Sequence, residues 1–325
     1  MANENEPING KLPPREQTMT RQDFLKHGAA GALGMLAGGG AAGSLAAAPQ
    51  INRIYPGAPA SRGRKLRALL TRKNFVVMGA CDSATAKLME AAGVEAAFLG
   101  TSNVGGRWTN LADRGLTTAT ESLTIAKYIA EAVNFPLIFD GDTGHGGPFM
   151  VKRLVHECIK LGLGGIRIDD QDIEMKRTTG NEGIIVASRE VVIARYKAAS
   201  DARNELDPDF VIQAQVYTRE AANGGMAEFL ARVPLYEAAG CDWIHLAGAQ
   251  SVDEVKQGRA VSKKHFSAMG GQWDRALTVQ QHGDMGLACV WNSGWPASAI
   301  DRALTAALAD FKKRGPLVLE DPRRE

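Results

Sequence analysis

The sequence predicts an α/β protein that folds as a (β/α)8 TIM barrel behind an N-terminal extension. Short apolar runs of strand length recur eight times between Phe75 and Val290, and a segment of helix length follows each of them. Strand followed by helix, repeated over about 250 residues, is the pattern of a closed parallel barrel. A doubly wound open sheet is the alternative, but the first strand has no GxGxxG turn after it, and eight repeats favour closure.

The predicted elements follow in order from these patterns. The predicted strands are the apolar runs at 75–78, 96–99, 137–139, 165–168, 210–212, 243–246, 265–268 and 287–290. The predicted helices carry apolar residues at helical spacing and cover 84–92, 122–133, 151–161, 189–204, 227–239, 252–261, 276–282 and 297–314. Gly93 and Gly240 stand where the first and fifth helices should end, because glycine readily adopts the left-handed cap conformation.

The composition excludes several classes of protein. The chain has 325 residues, of which 45% are hydrophobic and 23% charged, as in soluble globular proteins rather than disordered or collagen-like ones. Lys and Arg number 38 against 36 Asp and Glu, so a net charge of +2 gives no field that would recruit nucleic acid or a membrane surface. The four cysteines are far apart without a CxxC pair, which predicts buried apolar residues rather than zinc ligands.

The first 62 residues are predicted to lie outside the barrel, which we assign to residues 63–325. The segment 20–26, TRQDFLK, precedes a charge-free tract rich in Gly and Ala at 28–52 and resembles a twin-arginine export signal, with Gln22 at the place of the second arginine. The protein is then periplasmic if the signal is functional and cytoplasmic otherwise; a flexible tail is the alternative interpretation. The tract is too rich in glycine to predict a stable membrane span.

Carboxylates follow three of the predicted strands, at the end of a barrel where catalytic groups lie. They are Asp82, the pair Asp140 and Asp142, and Asp169. Carboxylates gathered at one rim repel one another and need a cation, and oxygen ligands without His or Cys spacing indicate Mg²⁺ or Mn²⁺. The alternative is that residues 140–147, DGDTGHGG, form a solvated glycine-rich turn.

Three motifs, each at a strand end and in the same order, resemble those of the isocitrate lyase/phosphoenolpyruvate mutase superfamily. They are GACDSATA at 79–86, DGDTGHG at 140–146 and GIRIDDQ at 165–171, and the resemblance covers residues 64 to about 315. It implies an enzyme that uses Mg²⁺ or Mn²⁺ to form or break a bond next to a 2-oxo or 2-hydroxy carboxylate, through an enolate. It also implies a homo-tetramer in which the helix at 297–314 is exchanged between subunits.

The resemblance places the site residues in three groups. The metal ligands are Asp140, Asp142 and Asp169. The catalytic residues are Asp82, Lys176 and Asp169. The residues that bind the small carboxylate substrate are Thr101, Ser102, Gln215 and His145.

The chain departs from the superfamily pattern at two positions that bear on the reaction. Thr178 stands where the carbon–carbon lyases carry the cysteine that transfers a proton, and Gln215 stands where they carry an arginine for a substrate carboxylate. A threonine hydroxyl forms no thiolate, and glutamine has no charge. We therefore expect a lyase, decarboxylase or hydrolase that cleaves a C–C bond in an altered substrate. Carbon–phosphorus chemistry on a phosphonopyruvate-like substrate, or a non-catalytic barrel that binds a carboxylate, are the alternatives.

Overall fold

The fold is seen in a computed structural model that describes residues 61–315; the signal-like tract lies outside the described residues. Eight parallel strands are arranged in the order β7-β6-β5-β4-β3-β2-β1-β8, which is a nearly closed barrel. They are β1 (Phe75–Gly79), β2 (Ala96–Leu99), β3 (Leu137–Asp140), β4 (Gly165–Asp169), β5 (Val211–Val216), β6 (Trp243–Leu246), β7 (His265–Ala268) and β8 (Cys289–Asn292). The predicted fold class is therefore confirmed.

Helices alternate with the strands and pack around them. They are α1 (Arg62–Arg72), α2 (Ser83–Ala91), α3 (Thr101–Val104), α4 (Ala119–Ala132), α5 (Pro148–Lys160), α6 (Arg189–Leu206), α7 (Met226–Ala238), α8 (Val252–Val261), α9 (Trp273–Ala276), α10 (Val279–Asp284) and α11 (Trp295–Arg314). A single π-helical turn, Gly105–Thr109, follows α3. Within residues 61–315, no helix is both long and apolar enough to cross a membrane.

Several local features differ from the expectation, including α3 and the π-helical turn, which lie where no helix was predicted. Helix α1 precedes the first strand and was not expected, because its apolar residues are outnumbered by arginine and lysine. The segment expected to be one helix at 276–282 is divided between α9 and α10, and the last strand begins two residues later than expected, at Cys289.

Two apolar layers hold the barrel together. The outward faces of the strands pack under the helices in one large core cluster, and a second cluster fills the barrel interior. Leu66 and Leu70 of α1 belong to the interior cluster and are fully buried, so α1 covers the amino end of the barrel. Arg62 fixes α1 by donating to the carbonyl oxygens of Ala130 and Val133, each at 2.6 Å. The candidate active site lies at the other end of the barrel, where the strands have their carboxyl ends.

Candidate active site

The loop after β3 carries the predicted metal ligand Asp142 in a constrained backbone, and Asp140 is the last residue of the strand itself. Asp142 and His145 have φ angles of 52° and 54°, in the left-handed region that residues other than glycine adopt rarely and often at functional sites. Gly141 is required because a Cβ there would lie 2.8 Å from a backbone carbonyl oxygen of β4. The loop is thereby pressed against β4, and the amide of Asp169 donates to the carbonyl oxygen of Asp142 at 2.7 Å.

Asp140 is held by backbone and side-chain donors. Its Oδ2 accepts from the amide of Thr101 at 2.9 Å, and its Oδ1 accepts from the amide of Asp142 at 3.1 Å. The Thr101 hydroxyl lies 3.2 Å from Asp140 Oδ2 and 3.0 Å from Asp113 Oδ1, so it bridges two carboxylates. Of the two predicted substrate-binding residues on α3, Thr101 is thus a buried support for Asp140, whereas the Ser102 side chain is exposed.

Lys176 lies in the middle of the acidic cluster, which consists of Asp113, Asp140, Asp142 and Asp169. Its side chain is buried, and its Nζ forms ion pairs with Asp113 and with Asp142, whose Oδ2 is 3.3 Å away. Burial alone would lower the pKa of Lys176, but the surrounding carboxylates, Asp142 and Asp169 foremost, outweigh it and raise the pKa above its ordinary value. Lys176 is therefore a permanent cation that the carboxylates share.

Burial and mutual repulsion act on the carboxylates themselves. Burial raises the pKa of Asp169 well above its ordinary value, and the neighbouring Asp140 adds to the shift. Burial also raises the pKa of Asp140, against which Lys176 acts. One ammonium group thus faces four carboxylates, which is the arrangement that further positive charge would stabilise.

Asp113 is a site residue that sequence reasoning missed. It lies beyond the π-helical turn, in a segment without apolar periodicity, and nothing in its spacing relates it to a strand end. The signal that could have identified it is an acidic residue within a segment of about a dozen residues that is neither strand nor regular helix, since long loops of barrels carry function.

Asp82 lies apart from the carboxylates around Lys176, whereas His145 is close enough to Asp142, Asp140 and Lys176 for their charges to act on its pKa. Asp82 is the N-cap of α2, where its Oδ1 accepts from the amide of Thr85 at 2.7 Å. Burial raises the pKa of Asp82, but the hydrogen bonds from Thr85 and Cys81 outweigh it and lower the pKa. His145 lines a surface groove of about 380 Å³ between α4 and α5, and burial lowers its pKa.

The loop between β4 and α6, which carries Lys176, is fastened at the two residues that follow the lysine. The Gln171 side chain donates to the carbonyl oxygen of Arg177 and accepts from its amide, both at 2.9 Å. The Thr178 hydroxyl donates to the carbonyl oxygen of Asp113 at 3.0 Å. Thr178, at the position where the superfamily's lyases carry a cysteine, is thus a structural contact between two loops.

Gln215 connects the same loop to the barrel interior. Its Nε2 donates to the phenolic oxygen of Tyr217 at 2.6 Å, and that oxygen lies 2.8 Å from the Thr179 hydroxyl. Gln215 is paired in register with Asp169 of β4 and with His245 of β6.

Asp170, next to Asp169, has a separate structural role. It accepts from the Tyr217 amide at 2.8 Å and from the Tyr236 hydroxyl at 3.0 Å, and Arg232 Nη1 lies 3.6 Å away. Burial raises the pKa of Asp170 to about 6, and these donors act against that shift. Asp169 therefore belongs to the acidic cluster, whereas its neighbour Asp170 stabilises the fold.

The donor set fits a divalent cation in charge and in ligand type. Among residues 61–315, no three His, Cys, Asp or Glu side chains are already grouped as ligands around one metal position. That grouping is not required for Mg²⁺, which usually takes one or two carboxylates and completes its shell with water and substrate oxygens. For a divalent cation to bind at these carboxylates, the ammonium of Lys176 has to move away from them.

Comparison with known proteins agrees with this architecture. The family model for phosphoenolpyruvate phosphomutase matches residues 66–312. An isocitrate lyase from Haloferax volcanii is 30% identical over 266 residues, which are 78% of this chain and 75% of the relative. Among solved structures, an oxaloacetate acetylhydrolase with the inhibitor 3,3-difluorooxalacetate superposes with a TM-score of 0.73 at 24% identity, covering 82% of this chain and 90% of that one.

A second solved structure of similar fold was determined with a metal ion. A phosphonopyruvate hydrolase in complex with oxalate and Mg²⁺ has a TM-score of 0.70 at 23% identity, covering 82% of this chain and 92% of that one. At these identities the structures show the fold alone, whereas the family model covers most of the described residues. From the barrel, its motifs and this match, the chain belongs to the phosphoenolpyruvate phosphomutase family, and with it to the isocitrate lyase/phosphoenolpyruvate mutase superfamily of enzymes.

Proposed function

We propose that the chain uses Mg²⁺ or Mn²⁺ to cleave a carbon–carbon bond in a 2-oxo or 2-hydroxy carboxylic acid, as a lyase, decarboxylase or hydrolase. The observation that carries the proposal is the convergence of four carboxylates on one buried ammonium at the carboxyl end of the barrel. Relatives named for isocitrate cleavage and for oxaloacetate hydrolysis support the substrate class.

Asp140 and Asp142 would hold the cation, and Asp169 and Asp113 would hold water around it. When bound, the cation stabilises the negative charge that develops on the substrate oxygen next to the bond that breaks. Thr101 keeps Asp140 in place with two donors. Lys176 balances the carboxylates in the absence of the cation and, once displaced, supplies a positive charge near the substrate carboxylate.

A second candidate is carbon–phosphorus cleavage or transfer on a phosphonopyruvate-like substrate. The observation in its favour is Thr178, which gives the loop a hydroxyl in place of the lyases' thiol; that hydroxyl donates to the carbonyl oxygen of Asp113. A resemblance to a phosphonopyruvate hydrolase is consistent with it. A barrel that binds a carboxylate without converting it is the third candidate.

Product release separates these candidates. The full chain is incubated with MgCl₂ and a panel of 2-oxo acids, 2-hydroxy acids and phosphonates, and the products are followed as pyruvate, glyoxylate, acetate, carbon dioxide and phosphate. Release of a C–C cleavage product supports the proposal, and phosphate release from phosphonopyruvate supports the second candidate. Binding without any release would leave the non-catalytic barrel.

The metal assignment has its own test in the double variant Asp140→Ala, Asp142→Ala. We expect the wild type to gain thermal stability with MgCl₂ or MnCl₂, because a ligand that binds only the folded state stabilises it by mass action. The double variant should remain folded and lose that gain, whereas Asp201→Ala and Asp284→Ala, on α6 and α10, should retain it. A metal-dependent shift that persists in the double variant would refute Asp140 and Asp142 as ligands.

A further inference from the structure

The barrel interior contains a polar layer directly below the acidic cluster. Its members are Arg167 of β4, Gln213 of β5, His245 of β6, Ser267 of β7 and Trp291 of β8, all of them buried. Interiors of such barrels are usually filled by branched apolar side chains. A layer of this kind needs partners for its polar atoms, since buried polar groups are nearly always hydrogen-bonded.

Some polar atoms of this layer form hydrogen bonds with one another or with a neighbouring side chain. Arg167 Nε donates to Gln213 Oε1 at 2.7 Å, and the guanidinium carbon lies 3.7 Å from the centre of the Trp291 ring. Ser267 Oγ accepts from Trp243 Nε1 at 2.8 Å and lies 2.7 Å from His245 Nδ1. Because Ser267 Oγ already accepts one hydrogen bond, its hydroxyl donates to His245 Nδ1. A neutral His245 then carries its proton on Nε2.

The remaining polar atoms of the layer point to one missing partner. Among the described residues, Arg167 Nη2, Gln213 Nε2, His245 Nε2 and Trp291 Nε1 are buried without a hydrogen-bond partner. With the histidine tautomer above, all four are donors. The Oε1 of Gln215, one level higher on β5, is the acceptor left over near them.

The positive charge of Arg167 also has no ion-pair partner among the described residues. Within the described chain, no carboxylate lies within 4.0 Å of its guanidinium, although Asp140 and Asp169 are close enough to favour the charged form. A guanidinium group is not deprotonated in proteins, so Arg167 carries a positive charge. One buried positive charge with four unused donors is a complement to an anion.

The layer lies within reach of a ligand held at the rim. Arg167 is two residues before Asp169 on β4 and is paired in register with Asp140 of β3. At the rise of a parallel strand, two residues correspond to about 6–7 Å. A small molecule with one end at the acidic cluster can therefore place its other end at the polar layer.

We propose that Arg167, Gln213, His245 and Trp291 bind a second carboxylate of the substrate inside the barrel, so that the enzyme selects dicarboxylic acids. The proposal rests on the function proposed above, which supplies the first carboxylate at the rim. It assigns the positive charge for the distal carboxylate to β4, whereas position 215 of β5 carries an uncharged glutamine.

The test compares acids of equal length that carry one or two carboxylates. Binding of succinate and butyrate, and of glutarate and valerate, is measured by titration calorimetry with the full chain in MgCl₂. We expect the wild type to bind a dicarboxylate about 30-fold or more tightly than its monocarboxylate partner, because a charged partner is matched only in the first. Arg167→Met should abolish that preference.

Two further variants separate binding from folding. Arg62→Met also removes a buried arginine, but at the amino end of the barrel, and should lower the melting temperature and keep the preference. Arg167→Met should keep or raise the melting temperature, because it removes a buried charge without a carboxylate partner. Trp291→Phe, which removes only the Nε1 donor, should weaken dicarboxylate binding several-fold and leave monocarboxylate binding unchanged.

The outcomes distinguish this inference from the function on which it rests. If wild-type turnover of a 2-oxo acid is found but the Arg167→Met and Trp291→Phe variants keep the full preference, Arg167 is a structural residue and the inference is wrong. A wild type without preference also refutes it, since the layer then holds water only. If the wild type binds none of the four acids and releases no product, the proposed function fails and the inference fails with it.

Discussion

The Lys176 ammonium occupies the centre of a group of carboxylates that cannot all be ionised and buried without a cation. Its ion pairs with Asp113 and Asp142 are made at the point where the proposed metal would bind. The negative charges of these carboxylates therefore stabilise either the ammonium of Lys176 or the divalent ion at this position. Binding of the ion is coupled to movement of one side chain.

Removing the lysine should make the protein depend on metal. Lys176→Met leaves buried carboxylates without a partner, and we expect a loss of about 3–5 kcal/mol in the free energy of unfolding when metal is chelated. Added MgCl₂ should then raise the melting temperature of the variant more than that of the wild type, because the ion no longer competes with the ammonium. Lys160→Met, at an exposed ion pair on α5, is the control. An equal response of variant and wild type to MgCl₂ would contradict this competition.

At the level of single residues, the sequence identifies side chains whose place follows from a strand end. Asp140, Asp142 and Asp169 meet because parallel strands end at one rim. Asp113 could not be identified in this way, because it reaches the rim through an irregular loop. Whether a strand-end residue faces the rim or caps the next helix is decided by one backbone turn, as Asp82 illustrates.

Among the elements, the loop between β4 and α6 decides access to the acidic cluster. Gln171 fastens it through both backbone groups of Arg177, and Thr178 fastens it to the carbonyl oxygen of Asp113. These bonds hold Lys176 in its buried position. Release of the loop is therefore required before the carboxylates can exchange one cation for another.

Gln171→Ala should release this loop without unfolding the barrel. Both hydrogen bonds to Arg177 are lost, at about 1 kcal/mol each, so the local opening equilibrium of the loop should shift by about 2 kcal/mol. We expect trypsin to cut after Lys176 or Arg177 about tenfold or more faster than in the wild type, as mapped by mass spectrometry under native conditions. Gln280→Ala, at an exposed side-chain bond on α10, should leave the rate unchanged. Unchanged cleavage in Gln171→Ala would mean that other contacts hold the loop.

The strands and most helices follow from periodicity because their apolar residues repeat at regular spacing. Helix α1 does not follow from it, since tertiary contacts at the amino end of the barrel stabilise a segment rich in arginine and lysine. The division between α9 and α10 occurs at Leu277 and Thr278, where Thr278 begins a capping box with Gln281. A capping box marks the start of a new helix, and the spacing of the apolar residues alone does not reveal it.

For the whole molecule, α11 is the element least explained by the barrel alone. Of its residues Pro296 alone is buried, and Leu304, Leu308 and Phe311 are exposed by 55%, 58% and 42% along one stripe. An apolar stripe of this size on a long helix is typical of an interface between subunits.

We predict a homo-tetramer in which this stripe is covered by neighbouring subunits. Size-exclusion chromatography with light scattering should give four times the chain mass at micromolar concentration. The variant Leu304→Glu, Leu308→Glu should dissociate it, because charges on the stripe cannot be buried, whereas Ala306→Glu, on the opposite side of the helix, should not. A monomeric wild type would refute the assembly.

The barrel wall has a seam. The strand order begins with β7 and ends with β8, and across that gap the amide of Ala288 donates to the carbonyl oxygen of Phe266 at 2.7 Å. A wall without a continuous ladder at one place separates there at a lower free energy than global unfolding requires. Ser267 and Trp291 lie on the two sides of this seam, so its local opening gives solvent a route to the polar layer that does not pass the acidic cluster.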